Sequence, residues 1–126
     1  MKPILVKVIP HRRQRLKNGD VADYVEMSKK TVIATSDMGN DDFNFLIQLH
    51  EFVELFLITK AGIAIKTIDD WDCKHPDAMG DDPKAPYHKQ HCQADQIERF
   101  AAKVIGISWT DYLKTIERIS DATHAN

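Results

Sequence analysis

The pattern of apolar and polar positions divides the chain in two. Up to about residue 38 the apolar residues come in short, β-branched runs broken by polar clusters, the signature of strands. Residues 4–9 form the first run, and residues 30–35, rich in Thr, Val and Ile, form the last. Between them Asn18-Gly19-Asp20 is the strongest turn signal, because Asn and Gly both accept the positive φ of a tight hairpin. It predicts a hairpin joining strands at 12–16 and 22–27. The expectation is a small N-terminal antiparallel sheet of three or four strands, ending at Ser36-Asp37-Met38-Gly39-Asn40.

From residue 41 the spacing becomes helical. Residues 41–61 predict one long helix, with Asp41 and Asp42 at the positive end of its dipole and Gly62 as its stop. Apolar side chains from Phe43 to Ile58 occupy nearly every side of it, so a central, buried helix is expected. A short helix at 66–73 carries Ile68 and Trp71, and the Pro-, Gly- and Asp-rich stretch 74–85 reads as a loop. A further helix is expected from about Pro86 to Ile105, stopped by Gly106, and a last one from Ser108 to about Ser120, followed by a frayed tail at 121–126. The fold class is therefore α+β: a single domain over 1–126, with a β-rich part at 1–38 and a helical part at 41–120.

Composition narrows the classes. With 126 residues, 43% of them hydrophobic, the chain has enough apolar material for one core. A net charge of −2 lacks the basic footprint of a duplex-binding protein. The local exception is Arg12, Arg13, Arg15 and Lys17, which reads more simply as a solvated edge strand than as a phosphate-contacting patch. Two cysteines, Cys73 and Cys92, make no disulfide framework, and reduced thiols point to the cytoplasm. No signal pattern opens the chain, and no apolar run approaches the roughly 20 residues that span a bilayer.

Candidate chemistry lies in His50-Glu51-Phe52-Val53-Glu54, inside the long helix. Residues four apart share a helix face, so His50 and Glu54 can chelate one divalent ion. Ion pairing to Lys or Arg from the sheet is the simpler account of the same polar groups. The next long helix carries His88, His91, Asp95 and Glu98 on one sector roughly 80° wide. Its opposite side, with Cys92, Ala94, Ile97, Ala101, Val104 and Ile105, is expected to pack on the core. His91 is the third ligand candidate and His88 a less secure one. Asp95 and Glu98 are either ligands or carboxylates that orient an imidazole. Three ligands leave a coordination position for water, as catalytic zinc sites do; the closed set His50, Glu54, His88 and His91 would suit a structural metal.

The order of strands, Asp/Gly-rich loop and HExxE helix resembles the minimal zincin-like metalloprotein architecture. The segment Gly80-Asp81-Asp82-Pro83-Lys84-Ala85-Pro86-Tyr87-His88-Lys89-Gln90-His91 is similar to that of small bacteriophage and prophage proteins with an HExxE helix followed by a PYxxxH segment. The resemblance spans roughly residues 30–112. It implies that His50 binds metal, zinc foremost, and that Glu51 acts on water in the hydrolysis of a peptide or amide, in the host cytoplasm if phage-encoded. Glu54 stands where zincins have a second His, which opens the site to manganese or iron. Two other readings remain. Glu51/Glu54 and Asp95/Glu98 resemble the acidic pairs of magnesium-dependent all-α nucleotide pyrophosphohydrolases. Alternatively, the chain is a non-catalytic phage-type accessory protein with a structural metal, its basic stretch meeting an unknown partner.

Overall fold

A computed structural model describes residues 1–11 and 21–124, with side chains described as far as residue 120. In chain order the elements are β1 (Ile4–Ile9), β2 (Ala22–Glu26), β3 (Thr31–Ser36), α1 (Asp41–Ala61), α2 (Ile65–Lys74), a 3-10 turn (Met79–Asp81), α3 (His88–Ile105) and α4 (Trp109–His124). The class is α+β with a three-stranded sheet, as the sequence pattern predicts. No helix among the described residues is long and apolar enough to cross a membrane.

The sheet is mixed rather than antiparallel. Its order is β1-β3-β2, with β3 antiparallel to β2 and parallel to β1, Ile4 facing Thr31 and Ile9 facing Ser36. The reason lies in the turns. A tight connection through Ser28 and Lys29, closed by the Met27 N–H donating to the Lys30 carbonyl at 2.8 Å, makes β2 and β3 the hairpin. β1 then takes the free edge of β3, where a long intervening segment permits parallel pairing. The expected strand at 12–16, the turn Asn18-Gly19-Asp20 and the basic residues Arg12, Arg13, Arg15 and Lys17 lie outside the described residues. α4 continues through His124, past the stop expected near Ser120; Ser108 Oγ accepts from the Asp111 N–H at its start.

α1 lies across the sheet and joins two apolar clusters. Near its N-terminus Leu46 and Ile47 pack with Val21, Ala22, Met38, Ala102 and Tyr112. Towards its C-terminus Leu55 and Ile58 pack with Tyr24, Ile33, Ile68, Ala85 and Tyr87. His50 and Glu54 fall between these clusters, buried with them. The helix starts where the Asn40 side chain accepts from the Phe43 N–H at 3.1 Å, and ends where Gly62 adopts φ 76°. Asn40→Ala is expected to cost about 1 kcal/mol, lowering the melting temperature by a few degrees in a thermal denaturation experiment.

Two expectations about helix faces are corrected. α1 is not buried on every side: Phe45, Phe52 and Phe56 project away from the sheet into solvent. On α3 the expected core side holds only in part: Ala94 is buried and Ala101 packs on the core, but the larger apolar residues do not. His91, Asp95 and Glu98 turn towards α1, while Ile97, Val104 and Ile105 face outward together with Phe100. The cause is the pair His50 and Glu54. A buried imidazole and carboxylate require polar partners, and the polar sector of α3 supplies most of them.

Candidate metal centre

α1 and α3 run antiparallel, because His50 meets Glu98 while Glu54, one turn further along α1, meets His91, two turns earlier on α3. Glu54 is the hub. Its Oε2 lies 3.1 Å from His50 Nε2 and 2.9 Å from His91 Nδ1, and its Oε1 accepts from the Tyr24 hydroxyl of β2 at 2.8 Å. The other nitrogen of each imidazole faces a carboxylate. His50 Nδ1 is 2.9 Å from Glu98 Oε1 and 3.2 Å from Asp95 Oδ1; His91 Nε2 is 3.1 Å from Asp81 Oδ1 and 3.6 Å from Asp95 Oδ2. Glu98 is in turn held by the hydroxyl of Tyr112, which is fully buried.

Four carboxylates around two imidazoles make a strongly anionic cage. Burial opposes charge on His91, but its contacts with Asp81 and Glu54 outweigh that and hold its pKa at about 10. Burial likewise opposes charge on His50, and Asp95, Glu54 and Glu98 together raise its pKa well above the usual value. For Glu54, burial is outweighed by the two histidines, and its pKa falls to about 2. Burial and the adjacent Glu54 charge raise the Tyr24 pKa, so its hydroxyl stays protonated and donates. The cage demands positive charge, which two protons or one divalent cation can supply.

The donors fit a small divalent ion. His50, Glu54 and His91 each offer a ligand atom, all within 4.8 Å of one another. Metal–ligand distances of about 2.0–2.2 Å in a tetrahedron separate ligand atoms by roughly 3.3 Å, a few tenths of an ångström more than the hydrogen-bonded distances. The partners of the remaining nitrogens, Glu98 and Asp81, have the carboxylate–histidine arrangement that fixes the tautomer and ring of a metal ligand. Two further groups, His50 with Asp95 and Glu98, and Asp81 with His91 and Asp95, have comparable spacing.

The centre opens on a cleft of about 550 Å³ whose wall includes Glu51, Asp81, Arg99, Trp109 and Leu113. The 3-10 turn bounds one side. Only glycine fits at position 80, since a Cβ there would stand 2.7 Å from His91 Cγ and 2.9 Å from Tyr87 Cε2. Gly80→Ala is expected to push the His91 ring off Glu54 and weaken zinc binding at least tenfold by titration calorimetry, with helix content by circular dichroism unchanged.

Of the residues singled out from the sequence, His50, Glu54 and His91 converge, with Asp95 and Glu98 at the imidazoles and Glu51 on the cleft wall. His88 does not join them. Its Nδ1 donates to the Gly80 carbonyl at 2.9 Å, and Cys92 Sγ lies 3.5 Å from its Nε2. Cys92 is half-buried rather than packed in the core. Away from the site, His75 stacks on Trp71 with ring centres 3.6 Å apart. Asp70 pairs with Lys66 on the surface of α2, but Asp72 is buried and accepts from the Tyr87 hydroxyl at 2.6 Å. Tyr24, Asp81 and Tyr112 were not legible as site residues. The available signal was weak: a tyrosine on an inward strand or helix position needs a partner for its hydroxyl. Comparisons with protein-family models, curated proteins and solved structures find no match to this chain.

Proposed function

We propose that the protein is a zincin-like, divalent-metal-dependent hydrolase, with His50 Nε2, Glu54 Oε2 and His91 Nδ1 as its ligands. The observation that carries this reading is the convergence of those three atoms, each imidazole backed by a carboxylate, at the wall of an open cleft. Two imidazoles and one carboxylate favour zinc, and admit manganese or iron. Bound there, the ion supplies Lewis acidity and lowers the pKa of a water molecule.

The remaining work falls to side chains. Glu98 and Asp81 hold the imidazoles in one tautomer, and Tyr24 holds Glu54 by its outer oxygen. Glu51, adjacent to the first ligand and on the cleft wall, takes the proton from the attacking water and delivers it to the leaving group. Arg99, which lies 5.0 Å from the Trp109 ring centre, is the one Lys or Arg among the described cleft residues and faces the anion that develops on an attacked carbonyl. A peptide or amide is the substrate class in view. The unpaired thiols Cys73 and Cys92 accord with a reducing cytoplasm.

Geometry disfavours the other two readings. In a magnesium pyrophosphohydrolase the acidic pairs of two helices face each other, whereas the His50 ring stands between Glu54 and Glu98. The closed set with His88 as fourth ligand is disfavoured, because the His88 ring is engaged by the Gly80 carbonyl. Glu51→Gln separates catalysis from metal holding. With p-nitroanilide amides and casein as substrates, its turnover is expected to fall by at least about 100-fold while bound metal stays at the wild-type level. Unchanged turnover overturns the assignment.

A further inference from the structure

The cleft beside the metal centre differs in chemistry from one end to the other. α3 runs along it, and His91, Asp95 and Arg99 line it at successive turns, about 6 Å per step. At the His91 end, Asp81 and Asp95 stand on the outer side of the ring. Asp81 Oδ1 lies 3.1 Å and Asp95 Oδ2 3.6 Å from His91 Nε2. Their side chains are 78% and 46% exposed, so both carboxylates are open to a ligand. At the Arg99 end the wall is apolar. The Arg99 guanidinium lies over the Trp109 ring, and Trp109, Leu113 and Ile116 line the cleft from α4. Intervals of four and three residues put these three on one stripe of α4, and Leu113 is still 45% exposed.

Charge sets the sign of the ligand. Seven Asp and Glu residues line the cleft against Arg99, the one Lys or Arg among its described residues. A divalent ion on His50, Glu54 and His91 offsets only part of that excess, because both imidazoles are neutral as ligands. The field that remains attracts cations and repels phosphates and acidic peptides. The apolar stripe sets a second requirement, since a bulky apolar group gains by leaving water there. At about 550 Å³ the cleft has the size of a small-ligand pocket. A ligand that meets both demands carries an ammonium group close to the metal and a large apolar side chain about one turn of α3 away.

Resting on the hydrolase reading above, we infer that the substrate is a peptide or amide with a free α-ammonium group and a bulky apolar first side chain. The protein thus removes amino-terminal residues. Asp81 and Asp95 receive the ammonium, and the side chain lies along Trp109, Leu113 and Ile116. Both groups are attached to the carbon next to the first carbonyl, which brings that carbonyl between the metal centre and Arg99. Hydrolysis there breaks the first peptide C–N bond. The carbonyl carbon takes the water oxygen, and both water protons end on the departing amine, one of them by way of Glu51.

The test measures binding, turnover and metal content on the zinc-loaded full chain. The binding probes are the hydroxamates of leucine, N-acetylleucine and glycine, followed by titration calorimetry. Leucine hydroxamate is expected to bind at least about tenfold more tightly than the other two, which lack the ammonium or the side chain. Added salt is expected to narrow the gap to N-acetylleucine hydroxamate and to leave the gap to glycine hydroxamate. Leu113→Asn, at an exposed position, is expected to cut the preference for leucine over glycine several-fold with metal content unchanged. The p-nitroanilides of the same three acyl groups are expected to follow the same order in kcat/KM. Protein that binds the three hydroxamates equally, prefers N-acetylleucine or binds none overturns the inference, whether or not it hydrolyses amides. If the leucine preference holds but no p-nitroanilide is turned over, the ligand assignment stands and the hydrolase reading alone falls.

Discussion

Glu54→Ala is expected to be the most damaging single substitution in the molecule, with a loss of about 3–5 kcal/mol in a urea titration at pH 6. The removed carboxylate is 4% exposed and carries three contacts: Tyr24 through one oxygen, and His50 and His91 through the other. Without it two imidazolium rings, whose centroids are 5.0 Å apart, face each other with no anion between them. The Tyr24 hydroxyl is left buried without its acceptor. Glu51→Ala, one turn earlier and only half-buried, is expected to cost less than about 1 kcal/mol. Equal costs at the two positions would show that Glu54 is not the hub.

The second large effect concerns pH. In metal-free protein His91 has its pKa raised from 6.5 to about 10. Its contribution to stability is therefore complete below pH 6.5 and is lost as the pH rises through 10. Glu54, lowered from 4.5 to about 2, contributes fully above pH 4.5 and loses that contribution as the pH falls through 2. Chelator-treated protein should accordingly be most stable between about pH 4.5 and 6.5, and should lose several kcal/mol towards pH 10 in denaturant titrations. Zinc changes the alkaline limb, because it takes the place of the histidine protons and binds more tightly as they leave. Loaded protein is expected to keep its stability through pH 8. Identical profiles for the two forms would show that protons and metal do not compete for these rings.

The sequence carried the elements better than their arrangement. The bounds of β1 and α1 and the end of α3 follow from local signals: a β-branched run, Asp41 and Asp42 against Gly62, and Gly106 in the left-handed region. Convergence of His50, Glu54 and His91 was also legible, since two of these residues are four apart on one helix and the third sits on the polar sector of the next. Strand pairing was legible only in part: β2 and β3 pair antiparallel as expected, but β1 pairs parallel with β3. The turn signal Asn18-Gly19 lies outside the described residues, and the described hairpin turns at Ser28-Lys29, a pair with no special φ preference. Helix orientation failed for a different reason. Periodicity separates a polar face from an apolar one, but which of them turns inward also depends on the polar groups that neighbouring elements bury. On α3 the buried His50 and Glu54 draw the polar sector inward, leaving Ile97, Phe100 and Val104 exposed. Asp81 and Tyr112 reach the site from elements remote in sequence, which no local spacing announces.

The central claim rests on a metal held by His50, Glu54 and His91, and elemental mass spectrometry of the purified protein tests it most directly. Wild type is expected to carry about one zinc, manganese or iron per chain, and the His50→Ala/Glu54→Ala double variant none. A wild-type protein that holds no metal, even after incubation with zinc, manganese and iron, would contradict the claim and leave the cluster as a buried ion-pair network between α1 and α3.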